Sequence, residues 1–284
     1  MFKITCVVDN AADRRVGCWG EHGVAFCIEV EIKIEGEAGC GGVLFDTGQS
    51  GTVLLHNMEV LGIAPARIDA LALSHAHDDH TGGLEAWLSK QPGVPLYAHP
   101  DLFRPRFSQR QGQYRSIGMS VTQDELSHQA DLRLGADPVE MLPGVWTTGE
   151  ITDRQEPQGR SAHHFIKVDG DWRPDPYRDD MSLVLQTRAG LVVVCGCCHA
   201  GLLNTLACVK RVFARPIVAV IGGTHLVEAD AAQLDHVVAS LRDVYGVPRL
   251  YPNHCTGQRA YIALFNAFGE AVQPFPAGTC LTFD

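Results

Sequence analysis

The sequence lacks a long hydrophobic segment, an excess of basic residues and a recognisable export signal. No apolar run approaches the roughly 18 residues of a membrane span, and Asp9, Asp13, Arg14 and Arg15 interrupt the first twenty residues. We therefore expect a globular, cytoplasmic protein without membrane contact. Acidic residues outnumber basic ones by 33 to 23, for a formal charge of −10. This balance argues against a nucleic-acid partner, because phosphate binding favours a basic surface.

The cysteine content does not require a disulfide framework. The chain has 284 residues, of which ten are cysteines and 45% are hydrophobic. A chain of this length builds a sizeable core without covalent crosslinks, so we expect reduced thiols. We predict a single domain over residues 1–284, although the length also allows two small ones.

Strand and helix patterns alternate through both halves of the chain. Apolar stretches predict strands over 4–8, 24–34, 43–45, 68–73, 95–98, 181–187, 191–195, 217–221 and 250–251. Amphipathic stretches predict helices over 51–61, 83–90, 202–213, 231–245 and 257–268. The polar segments near 100–142 and 153–180 are predicted to be loops or insertions. Two packed sheets with helices outside would satisfy this order.

A dense cluster of ionisable residues follows the strand predicted over 68–73. His75, His77, Asp78, Asp79 and His80 lie within six residues. Imidazole nitrogens and carboxylate oxygens are ligands for zinc and similar divalent ions, and such crowded groups need a cation when buried. The alternative, in which they cap a strand and a helix, suits a single His–Asp pair better. The cluster therefore predicts a metal site.

Three further histidines, His199, His225 and His254, each follow an apolar strand and precede a helix. Loops at the carboxyl ends of strands gather on one edge of such folds, so all three can converge on the first cluster. For His225 a hydrogen-bonded structural role stays equally open. The other histidines lack this placement and are interpreted as surface or structural residues: His22, His56, His99, His128, His163, His164 and His236. The loop of His163 and His164 can still fold over a site.

Residues 195–199 match the CxxCH pattern of haem attachment, and Cys195 with Cys198 matches a CxxC redox pair. Neither interpretation fits a segment that ends a buried strand in a chain without an export signal. Cys197 remains a candidate thiolate ligand.

These motifs together resemble the metallo-β-lactamase superfamily over most of the chain. Residues 44–48 (LFDTG) look like its first motif, residues 75–80 match its HxHxDH signature, and residues 251–254 (YPNH) look like the motif of its last histidine. Segments 196–201, 221–226 and 254–257 are similar to a narrower branch, named for dihydropterin ribofuranosylaminobenzene phosphate synthase. The resemblance implies an α/β (α+β) fold, the four-layer αββα sandwich of this superfamily.

The resemblance also implies a set of metal ligands. His75 and His77 would bind one divalent ion, and Asp79, His80 and His254 would bind a second. Asp46 would orient the ligand loop from behind.

Two ligands of the usual pattern are missing here. Residues 147–150 stand near the place of a further histidine, and Cys197 stands where an aspartate is usual. His199 is predicted as the replacement, with Cys197, Glu150 and Asp180 as alternatives. Zinc is the expected metal, as one or two ions, with manganese or iron as alternatives.

The leading functional hypothesis is a metal-dependent hydrolase acting on a small polar or anionic substrate. Asp79 would bind metal and orient the attacking water, while His225 would bind substrate by donating a hydrogen bond to the developing oxyanion. The named branch gives a second hypothesis, a transferase joining a dihydropterin pyrophosphate to an aminobenzene ribofuranoside phosphate. Segment 104–115, with four arginines and two aromatics, would hold phosphate and a ring, or else be a solvated loop. A third hypothesis is a non-catalytic metal-binding sensor. A homodimer is an open alternative to a monomer.

Overall fold

The computed structural model describes residues 1–34 and 37–284. Its first sheet has seven strands in this part of the chain. In spatial order they are β17 (Cys280–Phe283), β1 (Phe2–Val8), β2 (Ala25–Ile34), β3 (Glu37–Phe45), β4 (Ala70–Ala72), β5 (Pro95–Ala98) and β8 (Asp131–Leu134). The four neighbouring strands β3, β4, β5 and β8 run parallel, so their carboxyl ends share one edge.

The second sheet has six strands in the described residues. In spatial order they are β16 (Arg249–Pro252), β15 (Ile217–Gly222), β14 (Leu191–Cys195), β13 (Ser182–Gln186), β10 (Val145–Thr147) and β9 (Glu140–Leu142). Strands β14, β15 and β16 are parallel and therefore end at the same edge.

Helices cover the outer faces of both sheets. They are α1 (Gly51–Val60), α2 (Asp78–Thr81), α3 (Leu84–Leu88), α4 (Gln123–Ser127), α5 (Leu202–Phe213), α6 (Ala231–Asp243) and α7 (Gln258–Phe268). Local signals start several of them: Ser50 caps α1, Thr122 and Glu125 form a capping box on α4, and Asp230 caps α6.

Three buried apolar clusters define four layers. Between the sheets, Phe26 and Phe45 of the first sheet pack with Leu183 and Val194 of the second. Outside the first sheet, a separate cluster joins α1 and α3 to β3 and β4 through Leu54, Trp87, Leu44 and Leu71. Outside the second sheet, α5, α6 and α7 pack on β13, β14 and β15 through Leu206, Leu241, Leu264, Val184, Val193 and Val220. The order is helix, sheet, sheet, helix, so the predicted αββα sandwich is confirmed.

Every predicted strand and helix of the two halves is present, with ends displaced by a few residues. The prediction of loops near 100–142 and 153–180 needs correction. These segments contain strands β8 and β9, helix α4 and a third sheet of four strands, in the order β12 (Asp171–Pro174), β11 (His164–Val168), β6 (Arg106–Arg110) and β7 (Gln113–Ser116). Segment 104–115 is therefore largely a hairpin and not a solvated loop.

The third sheet escaped prediction because its strands are short and largely polar. Aromatic contacts join its strands, since Tyr114 of β7 stacks on Trp172 of β12 with 3.7 Å between ring centroids. Phe107 of β6 meets the same indole edge-on. Such cross-strand pairs stabilise a sheet that has little core of its own.

Among the described residues, no helix combines the length and the apolar character needed to cross a membrane.

Candidate metal centre

The candidate site lies where strands of both sheets end. Asp46 directly follows β3. Ser74 and His75 follow β4, from which Leu73 separates them. On the second sheet, His199 and His225 follow the parallel strands β14 and β15. His254 follows β16 in the same way. Parallel strands thus bring loops from distant parts of the chain to one edge.

The buried carboxylate of Asp46 organises the first ligand loop. Its two oxygens accept hydrogen bonds of 2.7 Å from the Ser74 backbone N–H, the Ser74 hydroxyl and Nδ1 of His80. Because the Ser74 proton is used in this way, its Oγ accepts from Nδ1 of His75 at 2.9 Å. Nδ1 of both imidazoles is therefore engaged, which leaves Nε2 as the nitrogen that can bind a metal. Asp46 thus takes the orienting role that the family resemblance implies.

A first group consists of three buried imidazoles. Nε2 of His75 lies 3.0 Å from Nδ1 of His77. One nitrogen from each of His75, His77 and His199 lies within 4.8 Å of the other two. Nδ1 of His199 faces the Gly159 carbonyl oxygen at 2.7 Å and donates to it, which leaves Nε2 with its lone pair.

A second group is centred on the carboxylate of Asp79. Its Oδ2 lies 3.3 Å from Nε2 of His254 and 3.8 Å from Nε2 of His80. His22, which the sequence interpretation placed outside any site, brings its own Nε2 to 3.3 Å from the same oxygen. Nδ1 of His254 is fixed by Oδ1 of Asn10 at 2.9 Å. The structure therefore brings Asp79, His80 and His254 together and adds His22.

Burial and neighbouring charges set the protonation of these groups. Burial lowers the pKa values of His75, His77 and His199 well below the ordinary value, and nearby imidazoles add to this effect for His75 and His199. Burial opposes the charge of His80 as well, but Asp79 and Asp46 raise its pKa to about 9. Burial would raise the pKa of Asp79, yet His80 and His254 hold it well below the usual range. The first group is thus neutral at pH 7 beside an ionised Asp79.

Two aromatic residues that the sequence analysis missed support the first group. Tyr177 stacks on His199 with 4.1 Å between ring centroids, and its Oη lies 2.8 Å from Nδ1 of His164. The His164 ring is 5.0 Å from that of His77. Burial lowers the pKa of His164 to about 4, so this side chain is neutral at pH 7. The only sequence signal was that the loop of His163 and His164 can fold over a site.

The four remaining predicted residues lie in different settings. Cys197 lies inside the site, with Sγ 3.2 Å from Nε2 of His80. Asp180 accepts from the Ala200 backbone N–H at 2.8 Å and so fixes the turn that carries His199. Glu150 pairs with Arg178 at 2.9 Å and with His99, outside every group of metal-ligating atoms found in the described residues. His225 contacts His199, with 4.2 Å between ring centroids.

The arrangement fits a divalent cation. Nε2 of His77 and Nε2 of His199 are buried and have no hydrogen-bond partner among residues 1–34 and 37–284. An unpaired buried nitrogen is costly, whereas a lone pair aimed at a cation is satisfied. His75, His77 and His199 would hold one ion, and Asp79, His80 and His254 would hold another, with imidazole and carboxylate donors that suit zinc.

A small pocket of about 180 Å³ opens over these groups. Arg110 and Arg115, at the ends of the β6–β7 hairpin, contribute to its wall together with His22, His77 and His164. Neither guanidinium has an ion-pair partner within the described part of the chain. The two arginines therefore make their part of the rim basic, although Asp78 and Asp79 line the same pocket and the chain as a whole is acidic.

A buried ion cluster attaches the third sheet to the ligand loop. Arg106 is fully buried and pairs with Asp179 at 2.5 Å and with Asp175 at 3.0 Å. The second oxygen of Asp179 accepts from the backbone N–H of Ala76, which lies between two predicted ligands. The hairpin and the His75 turn are thus held in one network.

Comparisons with known proteins agree with this geometry. The sequence model of the metallo-β-lactamase superfamily matches residues 35–164. The 7,8-dihydropterin-6-methyl-4-(β-D-ribofuranosyl)-aminobenzene-5′-phosphate synthase of Methanocaldococcus jannaschii is 31% identical, over 99% of this chain and 97% of the relative. The chain belongs to the metallo-β-lactamase superfamily.

Solved structures of this superfamily share the fold. A metal-dependent hydrolase of the β-lactamase superfamily is similar over 100% of both chains, with a TM-score of 0.84 and 26% identity. A metallo-β-lactamase fold protein from Bacillus subtilis covers 99% of this chain and 98% of its own, with a TM-score of 0.57 and 12% identity. This membership supports an enzyme with a divalent metal, a hydrolase or a related transferase.

Proposed function

We propose that this chain is a zinc-dependent hydrolase acting on a small, anionic substrate. The observation that carries the proposal is the meeting of neutral imidazoles, with the unpartnered Nε2 of His199 among them, and an ionised Asp79 under an open pocket. A bound divalent cation supplies Lewis-acid polarisation of the bond attacked and acidifies water at the site.

Side chains of the chain itself position the reactants. Asp79, ionised at neutral pH, accepts a hydrogen bond from the attacking water and orients it. Asp46 holds Nδ1 of His80 and so fixes the ring that faces Asp79. His164 and Tyr177 cover one side of His77 and His199 and keep bulk water away from them.

The basic rim supports an anionic substrate. Arg110 and Arg115 form no ion pair in the described residues, and they lie on the wall of the same pocket, which Asp78 and Asp79 also line. Guanidinium groups bind carboxylate and phosphate oxygens through paired hydrogen bonds. The small pocket volume suits the reacting end of a small molecule better than a folded polymer.

The test is turnover of a matched panel by the zinc-loaded enzyme. Esters, lactones and thioesters would each be offered with an anionic and with a neutral substituent, and a phosphodiester would be paired with the corresponding neutral triester. We expect hydrolysis of at least one anionic member, its loss after chelation and its return with added zinc. Turnover that survives chelation, or that equally favours the neutral forms, would contradict the proposal.

The synthase from Methanocaldococcus jannaschii favours a second candidate, a transferase that joins a pterin pyrophosphate to an aminobenzene ribofuranoside phosphate. Arg110, Arg115 and the Tyr114–Trp172 stack would then bind phosphate and support a ring. Incubation of the metal-loaded enzyme with both substrates tests this candidate, and absence of a coupled product would remove it.

Failure in both assays would favour the remaining hypothesis, a metal-binding sensor without turnover. The single domain over residues 1–284, the cytoplasmic location and the choice between monomer and homodimer stay predictions from the sequence.

A further inference from the structure

A separate group of sulfur ligands lies beside the imidazole groups. Cys197, His225 and Cys255 come from the ends of β14, β15 and β16, three neighbouring parallel strands. One ligand atom from each of these residues lies within 4.8 Å of the other two. The strand order that assembles the imidazoles therefore also assembles two thiols and an imidazole.

The imidazole of His225 lacks a hydrogen-bond partner in the described residues, whereas Sγ of Cys197 contacts Nε2 of His80 at 3.2 Å. Both Nδ1 and Nε2 of His225 are buried without a hydrogen-bond partner in the described residues. A buried imidazole needs at least one partner, and leaving both nitrogens unpaired costs free energy. Cys197 and Cys255 are free thiols, and the hydrogen bond from Cys255 Sγ ends on the Cys197 carbonyl oxygen at 3.6 Å. Neither sulfur is occupied by a covalent bond.

The local backbone is shaped around these atoms. A Cβ on Gly223 would lie 2.3 Å from the Gly196 carbonyl oxygen and 2.6 Å from the Cys255 sulfur, so these strand ends can meet here only at a glycine. His225 itself has a φ of 46°, a conformation that non-glycine residues rarely adopt. The chain thus keeps His225 and Cys255 close together at the expense of an unfavourable backbone conformation.

We propose that Cys197, Cys255 and His225 form a zinc site distinct from the two imidazole-based sites. Two thiolates and one imidazole are a ligand set that zinc accepts, with a fourth position open to the pocket that all three residues line. The two thiolate charges balance the charge of the cation, and a coordinated thiol is deprotonated. His225 then serves as a ligand and not as the hydrogen-bond donor to substrate that the sequence analysis predicts.

Cys197 alone does not distinguish the proposed site from the imidazole sites. Its sulfur also lies 3.2 Å from Nε2 of His80, so it can belong to the imidazole sites alone. Cys255 and His225 are the residues that distinguish the proposed site. Neither of them belongs to a group with His75, His77 or Asp79.

X-ray absorption of the zinc-saturated protein tests the proposal, because zinc–sulfur distances are about 2.3 Å and zinc–nitrogen distances about 2.0–2.1 Å. We expect sulfur scattering in the wild-type protein. We also expect bound zinc to fall by one ion per chain in Cys255→Ser. The matched control is Cys280→Ser, at an exposed cysteine on β17, which should change neither result. Sulfur scattering that is absent from the wild-type protein, or that survives in Cys255→Ser with unchanged zinc content, would overturn the proposal.

A measurement on the wild-type protein covers the case in which Cys255→Ser does not fold. Zinc should protect Cys255 from alkylation by N-ethylmaleimide, and chelation should restore its reaction, while the exposed Cys280 reacts in both states. Equal labelling of Cys255 with and without zinc would overturn the proposal. Neither result depends on turnover, so failure of this site is distinguishable from failure of the hydrolase proposal.

Discussion

The sandwich edge and the third sheet build the two sides of one pocket by different means. At the edge, ligands follow strands whose side chains are almost fully buried, such as β14 and β15. The third sheet has exposed, largely polar strands and is held by the Arg106 ion cluster and by aromatic pairs. The first arrangement fixes ligand positions to the rigid core, and the second places charged groups near an opening.

This difference separates two kinds of function within the site. Metal binding depends on the strand-end loops, whose geometry the core over-determines. Under the proposed function, substrate recognition depends on Arg110 and Arg115, which belong to a sheet outside that core. Changes at the edge should therefore alter metal affinity, whereas changes on the third sheet should alter stability or substrate preference.

The largest effect is expected at the edge. His77→Ala removes one imidazole of the first group, so zinc affinity should fall by more than the roughly 10–100-fold that changes to outer partners cause. Activity should fall with it. The matched control is His128→Ala, because His128 is exposed and bonds only the Asp124 carbonyl oxygen. Competition with a chromogenic chelator gives both affinities, and equal values would contradict the role of the strand-end imidazoles in metal binding.

On the third sheet, Arg106→Met should produce the largest loss of stability. The change leaves Asp175 and Asp179 buried without their cation, which costs about 3–5 kcal/mol in comparable pairs. Arg104→Met, on the same hairpin, loses only a partly exposed ion pair with Asp101 and should cost less than about 1 kcal/mol. Urea denaturation of the metal-free proteins measures both. Similar losses in the two variants would show that the buried cluster does not anchor the sheet.

Gly196→Ala, at the edge of the sandwich, should lower both the stability and the zinc affinity of the protein. The added Cβ would overlap Ser74 Oγ and crowd Asp46, the pair that orients His80. Overpacking of this kind costs about 1–3 kcal/mol. Loss of the orienting contact should weaken zinc binding about 10–100-fold. Gly135→Ala is the control, because its Cβ would meet no atom within 4 Å. Normal zinc affinity in Gly196→Ala would argue against the orienting role of Asp46.

The smallest effect is expected at the rim. Arg115→Gln should raise KM for an anionic substrate about 10-fold, equivalent to about 1.4 kcal/mol of binding. KM for the neutral analogue and kcat should stay unchanged, because the guanidinium acts in binding. Arg173→Gln, on the exposed strand β12 of the same sheet, is the matched control. A loss that is equal for charged and neutral substrates would contradict the assignment of the basic rim to anion recognition.

The sequence predicted those strands and helices whose hydrophobic pattern matches the face that they bury in the core. The continuous apolar run of β14 and the amphipathic pattern of α5 begin and end where predicted. Their strand-end residues His199 and His254 were found for the same reason. The polar strands β6 and β12 give no such pattern, because tertiary ion pairs and aromatic contacts hold them.

The site residues that were missed also depend on tertiary contacts. His22 reaches Asp79 from a loop with no strand signal. The neighbouring Gly23 allows this approach, because a Cβ there would overlap the Asp79 carbonyl oxygen. The sequence alone does not show this contact. Tyr177 and His164 join the site because the third sheet folds against it. Such contacts between distant segments are invisible to local patterns.

The central claim is that the strand-end imidazoles hold a divalent cation, and anomalous diffraction at the zinc absorption edge tests it most directly. Crystals of the zinc-loaded protein should show a strong peak among the imidazoles of His75, His77 and His199. A map without a peak at that position, in protein that binds zinc elsewhere or not at all, would contradict the account.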